Sequence, residues 1–139
     1  MESAGTVVPH KVLIIDDEVT IRIALRRFFV RLGWRVEEAA NGHTALDLLA
    51  IDEEQLTGPR FSLVVSDLRM PGLNGMEMYE RIRVRHPAIV RRLIFSTGDV
   101  VSEEVASFVQ STDCVVLQKP FELAALRELV DRAIAGNAT

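Results

Sequence analysis

Acidic side chains, a hydroxyl and a lysine stand where four apolar segments of the sequence end. In chain order they are three consecutive acids, a single carboxylate, a hydroxyl and an ammonium: Asp16, Asp17, Glu18, Asp67, Thr97 and Lys119. Clustered carboxylates repel one another unless a cation is bound, and hard oxygen ligands of this kind favour Mg²⁺. An aspartate beside Mg²⁺, with an ammonium and a hydroxyl nearby, is suited to attack phosphorus and form an aspartyl phosphate.

Each of these residues also has a simpler explanation. Asp16 and Asp17 could cap the helix that follows them, and Asp67 could be a turn residue before a Pro-Gly segment. Thr97 fits an ordinary turn, and Lys119 fits a solvated strand end. Lys119 is nevertheless unusual, because only two of the 16 basic residues are lysines. The simpler explanation requires that several strand ends carry such residues by coincidence.

A sheet must position these residues, and five short apolar segments predict its strands: 11–15, 34–39, 61–66, 92–96 and 114–118. Apolar residues at helical spacing lie between the segments, which predicts alternating strands and helices. Gly33 and Pro87 end two of these helices, and Ser102 is a predicted N-cap. The alternation predicts an α/β fold with one doubly wound parallel sheet, whose strand ends form sites along one edge.

Length and composition limit the domain organisation and the function classes. The 139 residues suit one domain, and 48% hydrophobic with 26% charged residues is typical of a globular chain. We expect a flexible tail at 1–10, the domain at 11–136 and a short tail at 137–139.

The net charge of −4 argues against nucleic-acid contact, and no apolar run approaches the roughly 20 residues of a membrane span. One cysteine and the lack of a signal peptide predict a cytoplasmic location.

Four motifs have the order and spacing found in response-regulator receiver domains of bacterial two-component signalling: LIIDDE, VVSDLRMPGLNG, FSTGD and LQKPF. The chain resembles such a domain over about residues 11–135. The resemblance implies a flavodoxin-like (βα)5 fold with strand order 2-1-3-4-5. It implies that Asp67 accepts a phosphoryl group from a phosphohistidine on a histidine kinase or a histidine phosphotransfer domain. The domain would catalyse its own phosphorylation and dephosphorylation, but it would be a signalling module that acts through protein–protein contacts and not an enzyme.

The resemblance also implies how the site is divided. Mg²⁺ would be bound by four residues, Asp16 acting mainly through water and Arg69 through its backbone carbonyl: Asp16, Asp17, Asp67 and Arg69. The hydroxyl of Thr97 would donate a hydrogen bond to the phosphoryl group, and the ammonium of Lys119 would pair with it. The peptide bond between Lys119 and Pro120 is expected to be cis.

Some features depart from the receiver pattern. Val116 stands where these domains usually have an aromatic switch residue, and the connection 52–60 is somewhat long. Arg69 and Asp99 each lie two residues beyond a site residue, at positions that flank the phosphoryl group in receivers. We predict an ion pair between them that hinders hydrolysis of the acyl phosphate; two solvated loop charges are the alternative.

Other functions are compatible with this fold. A degenerate receiver would bind partners without being phosphorylated, but it would lack one or more site groups, and all of them are in the sequence. A phosphatase of the aspartyl-phosphate type would want a second acid at the position of Arg69. A flavin phosphate would be repelled by Asp16 and Asp17. The FSTGD and LQKPF motifs, with Val116, favour a receiver from a hybrid histidine kinase over a stand-alone regulator, and a homodimer is a further expectation.

Overall fold

The computed structural model describes residues 10–55, 60–98 and 102–137. Within these ranges, five strands alternate with five α-helices, and a 3₁₀ helix precedes the fourth strand. The strands are β1 Lys11–Ile15, β2 Arg35–Ala39, β3 Leu63–Asp67, β4 Leu93–Thr97 and β5 Val115–Gln118. The helices are α1 Val19–Arg31, α2 Gly42–Glu54, α3 Gly75–Arg85, the 3₁₀ helix Pro87–Arg92, α4 Glu103–Ser111 and α5 Leu123–Asn137.

The sheet is parallel throughout, with the strand order β2-β1-β3-β4-β5. Strands β1, β3 and β4 are buried along their whole length, because helices cover both faces of the sheet. The outer strands β2 and β5 are only partly buried. The predicted α/β fold and its strand order are therefore confirmed.

Two hydrophobic clusters lie on opposite faces of this sheet. Side chains alternate between the faces along a strand, so Leu13 of β1 joins one cluster and Val12 joins the other. The first cluster takes residues from α2, α3 and α4, including Leu49, Ile82 and Val105. The second takes residues from α1 and α5, including Phe29 and Leu126. The strand ends that carry the predicted site are thus held between two packed layers.

Side-chain and glycine caps fix the helix ends. Gly33 has a φ of 85° just after α1, a conformation that favours glycine, and the predicted end of that helix is confirmed. Ser102 caps α4 as predicted, since its side chain accepts a hydrogen bond from the backbone of Val105. Asn74 and Glu77 form a capping box at the start of α3. This box fixes where α3 begins after the loop that follows β3.

The structure differs from the predicted elements in several places. Strand β3 ends one residue later than predicted, so Asp67 is its last residue. Trp34 precedes β2 and stacks on His10, with ring centroids 4.8 Å apart. The 3₁₀ helix Pro87–Arg92 is absent from the prediction, in which Pro87 only ends a helix; proline also suits a first helical position, as it does here.

The predicted connection and tails lie partly beyond the described ranges. Helix α2 continues to Glu54, so the first residues of the predicted connection 52–60 are helical, and 56–59 lie outside the described residues. Most of the predicted tails also lie outside them, and the domain bounds 11–136 stay a prediction. None of the described helices has the length and apolar character that a membrane span requires.

Candidate functional site

The ammonium of Lys119 lies among three carboxylates at the carboxyl edge of the sheet. Its Nζ is 3.0 Å from Asp16 Oδ2, 3.4 Å from Asp67 Oδ2 and 3.5 Å from Glu18 Oε1. Ligand oxygens of the three acids lie within 4.8 Å of one another. Residues that are far apart in the sequence therefore meet in one site, as the rule for open parallel sheets predicts.

Asp16 is fixed by the backbone around the end of β1. It is almost fully buried, and its Oδ1 accepts a hydrogen bond from the backbone N–H of Glu18 at 2.9 Å. Its own backbone N–H donates to the carbonyl of Ala39, and Arg22 Nη1 donates to its carbonyl at 2.6 Å. These contacts leave Asp16 Oδ2 directed at Lys119.

Asp67 ends β3 and is 5% exposed. Its Oδ1 accepts a long hydrogen bond, 3.4 Å, from the backbone N–H of Arg69, while its Oδ2 faces Lys119. Gly75 starts α3 directly against this strand end, and a Cβ at Gly75 would lie 2.6 Å from the carbonyl oxygen of Asp67. A glycine is therefore needed to bring α3 this close to the candidate phosphoacceptor.

Burial and neighbouring charges set the protonation of this site. Burial, the largest influence, raises the pKa of the Asp67 carboxyl above its ordinary value of 3.8. The ammonium of Lys119 opposes this shift, and the charge of Asp16 adds to it. For Lys119, burial disfavours the charged form, but its hydrogen bond to Asp16 and the charge of Asp67 outweigh burial and raise its pKa above 10.5. Lys119 is thus a cation at neutral pH, and the Asp67 carboxylate lies where a further cation would be favourable.

Three carboxylates lie close enough together to fit a magnesium ion, and two of them, Asp16 and Asp67, are among the predicted ligands. The close group consists of Asp16, Glu18 and Asp67, whose hard oxygen ligands suit Mg²⁺. Asp17 is exposed and is not a member of this group, so its assignment as a ligand stays a prediction. Glu18 was not among the predicted metal ligands, and the signal that could have found it was the third acid of the run after β1.

Thr97 and Lys119 are neighbours across two strand ends. Thr97 is the last residue of β4 and is 2% exposed, and its backbone carbonyl accepts a hydrogen bond from the backbone N–H of Lys119 at 2.8 Å. The predicted cis peptide bond between Lys119 and Pro120 is confirmed. The hydroxyl of Thr97 as a donor to a phosphoryl group stays a prediction.

Arg69 reaches α4 from the loop after β3. Its Nη1 is 3.3 Å from Glu104 Oε1, and both side chains are about half exposed or more. Asp99, its predicted partner, lies outside the described residues, so that ion pair stays a prediction. Val116, at the usual aromatic switch position, is half-buried and packs against the hydrophobic cluster that includes Phe95.

Known proteins are similar in sequence to this chain. The family model described as the response regulator receiver domain matches residues 12–131. Sporulation initiation phosphotransferase F of Bacillus subtilis is 31% identical over 123 residues, which cover 88% of this chain and 92% of that protein. Response regulator MprA of Mycolicibacterium vanbaalenii is 37% identical over 124 residues, 89% of this chain. The match covers 48% of MprA, so the chain spans about half the length of that relative.

A solved structure agrees with these sequence matches. The response regulator protein TrrA from Thermotoga maritima, solved in complex with Mg²⁺-BeF, superposes with a TM-score of 0.72. It is 26% identical to this chain, and the superposition covers 89% of this chain and 98% of TrrA. The likeness extends over almost the whole of both chains.

Proposed function

The chain belongs to the response regulator receiver domain family of two-component signalling, and we propose that Asp67 is the side chain that accepts the phosphoryl group. Response regulators receive this group from histidine kinases. One observation carries the assignment: Asp67 is a nearly buried carboxylate at the end of β3, with Asp16 beside it and Lys119 Nζ at 3.4 Å. The packed strand β3 holds this carboxylate in place, and the carboxylate faces the ammonium of Lys119. Phosphoryl transfer needs such a positive charge beside the transferred group.

In the proposed step, a carboxylate oxygen of Asp67 attacks the phosphorus of a phosphohistidine. The bond between phosphorus and the imidazole nitrogen breaks, and its electron pair stays on that nitrogen as the histidine leaves. Lys119 then pairs with a phosphoryl oxygen, and the hydroxyl of Thr97 donates a hydrogen bond to another. Phosphoryl transfer depends mostly on positioning and charge neutralisation, which these two side chains supply without covalent chemistry of their own.

Receiver domains bind Mg²⁺ at an acidic cluster, and the finer assignment is part of the proposal. We assign the ion to the carboxylates of Asp16, Asp17 and Asp67 and the backbone carbonyl of Arg69. Bound Mg²⁺ would neutralise charge on the phosphoryl oxygens. The close group of acids at this edge supports the assignment of Asp16 and Asp67, and the Mg²⁺-BeF bound to TrrA supports a magnesium site in the family.

The phosphodonor and the output are also proposals. We propose a histidine kinase or a histidine phosphotransfer domain as the donor, and protein–protein contact in the cytoplasm as the output. The domain would catalyse its own phosphorylation and dephosphorylation at Asp67. The net charge of −4 supports the absence of nucleic-acid contact by this domain. A homodimer and an origin in a hybrid histidine kinase stay predictions.

Labelling with a small phosphodonor tests the proposal directly. The protein is incubated with acetyl phosphate or phosphoramidate and Mg²⁺, and intact mass is measured. We expect one added phosphoryl group on the wild type, no addition on Asp67→Ala, and normal addition on Asp47→Ala, an exposed aspartate of α2 that serves as the control. An unlabelled wild type, or a label that persists in Asp67→Ala, contradicts the assignment.

A further inference from the structure

Arg22 of α1 joins the edge strand β2 to the three acids that follow β1. These acids, residues 16–18, are named here the acid run. Arg22 Nη1 donates a hydrogen bond to the backbone carbonyl of Asp16 at 2.6 Å, and Arg22 Nε donates one to Glu38 Oε1 at 3.2 Å. The Arg22 side chain is only 17% exposed. Because the donors of a guanidinium lie in one rigid plane, the contact with Glu38 fixes the direction from which Arg22 holds the carbonyl.

Backbone contacts also tie the acid run to its neighbours. The N–H of Asp16 donates to the carbonyl of Ala39 at 3.1 Å, and the N–H of Glu18 donates to Asp16 Oδ1 at 2.9 Å. The N–H of Arg22 donates to the carbonyl of Glu18 at 3.2 Å. Arg22 therefore binds both ends of the acid run, and its side-chain contact is one that a substitution can remove without altering a carboxylate.

The orientation of the acid run matters for a bound metal ion. Mg²⁺ demands near-octahedral geometry with ligand oxygens at about 2.0–2.1 Å, so its carboxylates must be held in place. Asp16 Oδ2 lies 3.0 Å from Lys119 Nζ, in the group of acids that also includes Asp67. Release of the Asp16 carbonyl would allow its peptide unit to rotate, and the carboxylate would then turn away from Asp67. Groups that orient metal ligands in this way affect metal affinity without contacting the ion.

We propose that Arg22 is a positioning residue of the Mg²⁺ site, which holds the carbonyl of Asp16 so that the acid run presents its carboxylates to the ion. Arg22 acts through Asp16 and contacts neither the ion nor the phosphoryl group. Its partner Glu38 keeps the guanidinium at the carbonyl and balances its charge. This role rests on the proposed function, because that function places Mg²⁺ at the acid run and Asp67.

The variant Arg22→Met separates position from charge, because the two predict opposite changes in the Kd of Mg²⁺. The guanidinium is a positive charge beside the acids, so its removal would by charge alone favour a bound cation and lower the Kd. Loss of the hydrogen bond to Asp16 would instead let the acid run move and raise the Kd. We expect the second effect to dominate, with a Kd about tenfold higher in Arg22→Met. Isothermal titration calorimetry with Mg²⁺ alone measures this Kd without any phosphodonor.

Arg26 supplies a matched control one turn along the same helix. Its Nη1 lies 2.7 Å from Glu38 Oε2, but among the described residues it forms no hydrogen bond with the acid run. Arg26→Met removes the same charge and a tie to the same glutamate, and should leave the Kd of Mg²⁺ unchanged or slightly lower. Arg22→Lys keeps a donor but lacks the planar fork, so its Kd should lie between those of the wild type and Arg22→Met. Amide NMR spectra without Mg²⁺ check the fold; if Arg22→Met is unfolded, Arg22→Lys against Arg26→Lys gives the same comparison.

The dependence of labelling on Mg²⁺ gives a second readout. In Arg22→Met, the Mg²⁺ concentration that gives half the maximal rate of labelling by acetyl phosphate should rise about tenfold. The rate at saturating Mg²⁺ should stay close to that of the wild type, because Asp67 and Lys119 are unaltered. A general weakening of the fold would instead lower the rate at every Mg²⁺ concentration, and that result would contradict a positioning role.

The outcomes separate this inference from the proposed function. A wild type that is labelled, with a Kd of Mg²⁺ that does not rise in Arg22→Met, contradicts the positioning role alone. An equal rise in Arg26→Met also overturns it, as does a wild type that binds no Mg²⁺. A wild type whose Kd depends on Arg22 as expected but that is not labelled supports the positioning role and contradicts the role of Asp67.

Discussion

Lys11 and Lys119, the two lysines among 16 basic residues, both lie among carboxylates, but at opposite ends of the sheet. Lys11 begins β1, and its Nζ is 2.6 Å from Asp52 Oδ1 and 3.5 Å from Glu37 Oε2. Lys119 follows β5 and is shared by the three acids of the candidate site. The two clusters use the same kinds of side chain, so their differences indicate why the proposed function places the reactive carboxylate at the second cluster and not at the first.

At the amino end, the buried charges have partners within the protein. Asp52 Oδ2 accepts a hydrogen bond from the backbone N–H of Phe61 at 3.0 Å, and its Oδ1 accepts one from Gln55 Nε2 at 3.2 Å. The ammonium of Lys11 lies 4.3 Å from the centroid of the Phe61 ring. The cluster ties the start of β1 to the end of α2 and to the segment before β3. A buried pair with this many partners is suited to hold the fold together.

At the carboxyl end, three carboxylates share one ammonium. Asp67 has a single long backbone hydrogen bond, and burial raises the pKa of its carboxyl. The three carboxylates of this cluster outnumber its one ammonium, so the binding of a further cation is favoured. The ratio of acids to cations, two to one at the amino end and three to one at the carboxyl end, distinguishes the two ends more than the residue types do.

The largest expected effect is the loss of the amino-end cation. Lys11→Met keeps the length of the side chain but leaves the buried Asp52 without its ammonium, which should lower the free energy of unfolding by about 3–5 kcal/mol. Urea denaturation measures the change, and excess Mg²⁺ should not restore stability. Lys119→Met is the matched variant: its loss of stability should be reversed in part by Mg²⁺, because a cation can replace the ammonium there. If Mg²⁺ restores the free energy of unfolding equally in Lys11→Met and Lys119→Met, the two ends do not differ in their affinity for a cation, and the comparison is wrong.

A backbone change should disturb the carboxyl end without altering any charge. Gly75→Ala places a Cβ 2.6 Å from the Asp67 carbonyl oxygen and 2.8 Å from Leu68 Cα. Because backbone atoms must then move, we expect a loss of about 2 kcal/mol of stability and slower labelling by acetyl phosphate. Gly98→Ala is the control, since its Cβ would meet only Lys119 Cβ, at 4.0 Å. Normal labelling of Gly75→Ala would show that the site tolerates a displaced strand end.

Neutralising one acid at each end should change stability in opposite directions. At pH 7 without Mg²⁺, Asp67→Asn should raise the free energy of unfolding by about 1 kcal/mol, and Asp52→Asn should lower it. The Asp67 pKa is raised in the folded protein, so the stability that this group contributes is present at low pH and is lost as the pH rises through the raised pKa. The gain from Asp67→Asn should therefore shrink as the pH falls towards 3.8. Urea titrations at several pH values measure the difference in the free energy of unfolding between Asp67→Asn and the wild type. A difference that grows as the pH falls would contradict the raised pKa of Asp67.

Much of the fold and part of the site could be predicted from the sequence. Apolar segments that end on Asp16, Asp67 and Lys119 indicate a shared sheet edge, because parallel strands end on the same side. The pairing of Lys11 with Asp52 could not be predicted, since it depends on how α2 packs across the start of β1. Sequence spacing carries no signal for such a tertiary contact.

The positions of the acids after β1 show the same limit. A run of three acids predicts carboxylates at the strand end, but it does not say which of them faces inward. In the structure Asp16 Oδ1 accepts a hydrogen bond from the Glu18 backbone, and Glu18 reaches Lys119 while Asp17 is exposed. The local path of the loop decides this, and that path depends on contacts such as the one from Arg22 to the carbonyl of Asp16.

The smallest expected effect concerns an exposed charge at the carboxyl end. Arg69→Ala removes a half-exposed pair with Glu104, so stability should change by less than about 1 kcal/mol. If Arg69 hinders water at the mouth of the site, as we predict, the lifetime of the acyl phosphate should shorten about two- to fivefold. Loss of the label over time, followed by intact mass after the phosphodonor is removed, measures this lifetime.

Glu104→Gln separates the ion pair from the arginine itself. If Arg69 hinders water only while Glu104 holds it, Glu104→Gln should shorten the lifetime as much as Arg69→Ala does. If Arg69 acts through its own position in the loop after β3, Glu104→Gln should leave the lifetime unchanged. An unchanged lifetime in Arg69→Ala itself would mean that this charge does not affect hydrolysis. The reactivity of the carboxyl end would then depend on its buried charges alone, as the stability of the amino end does.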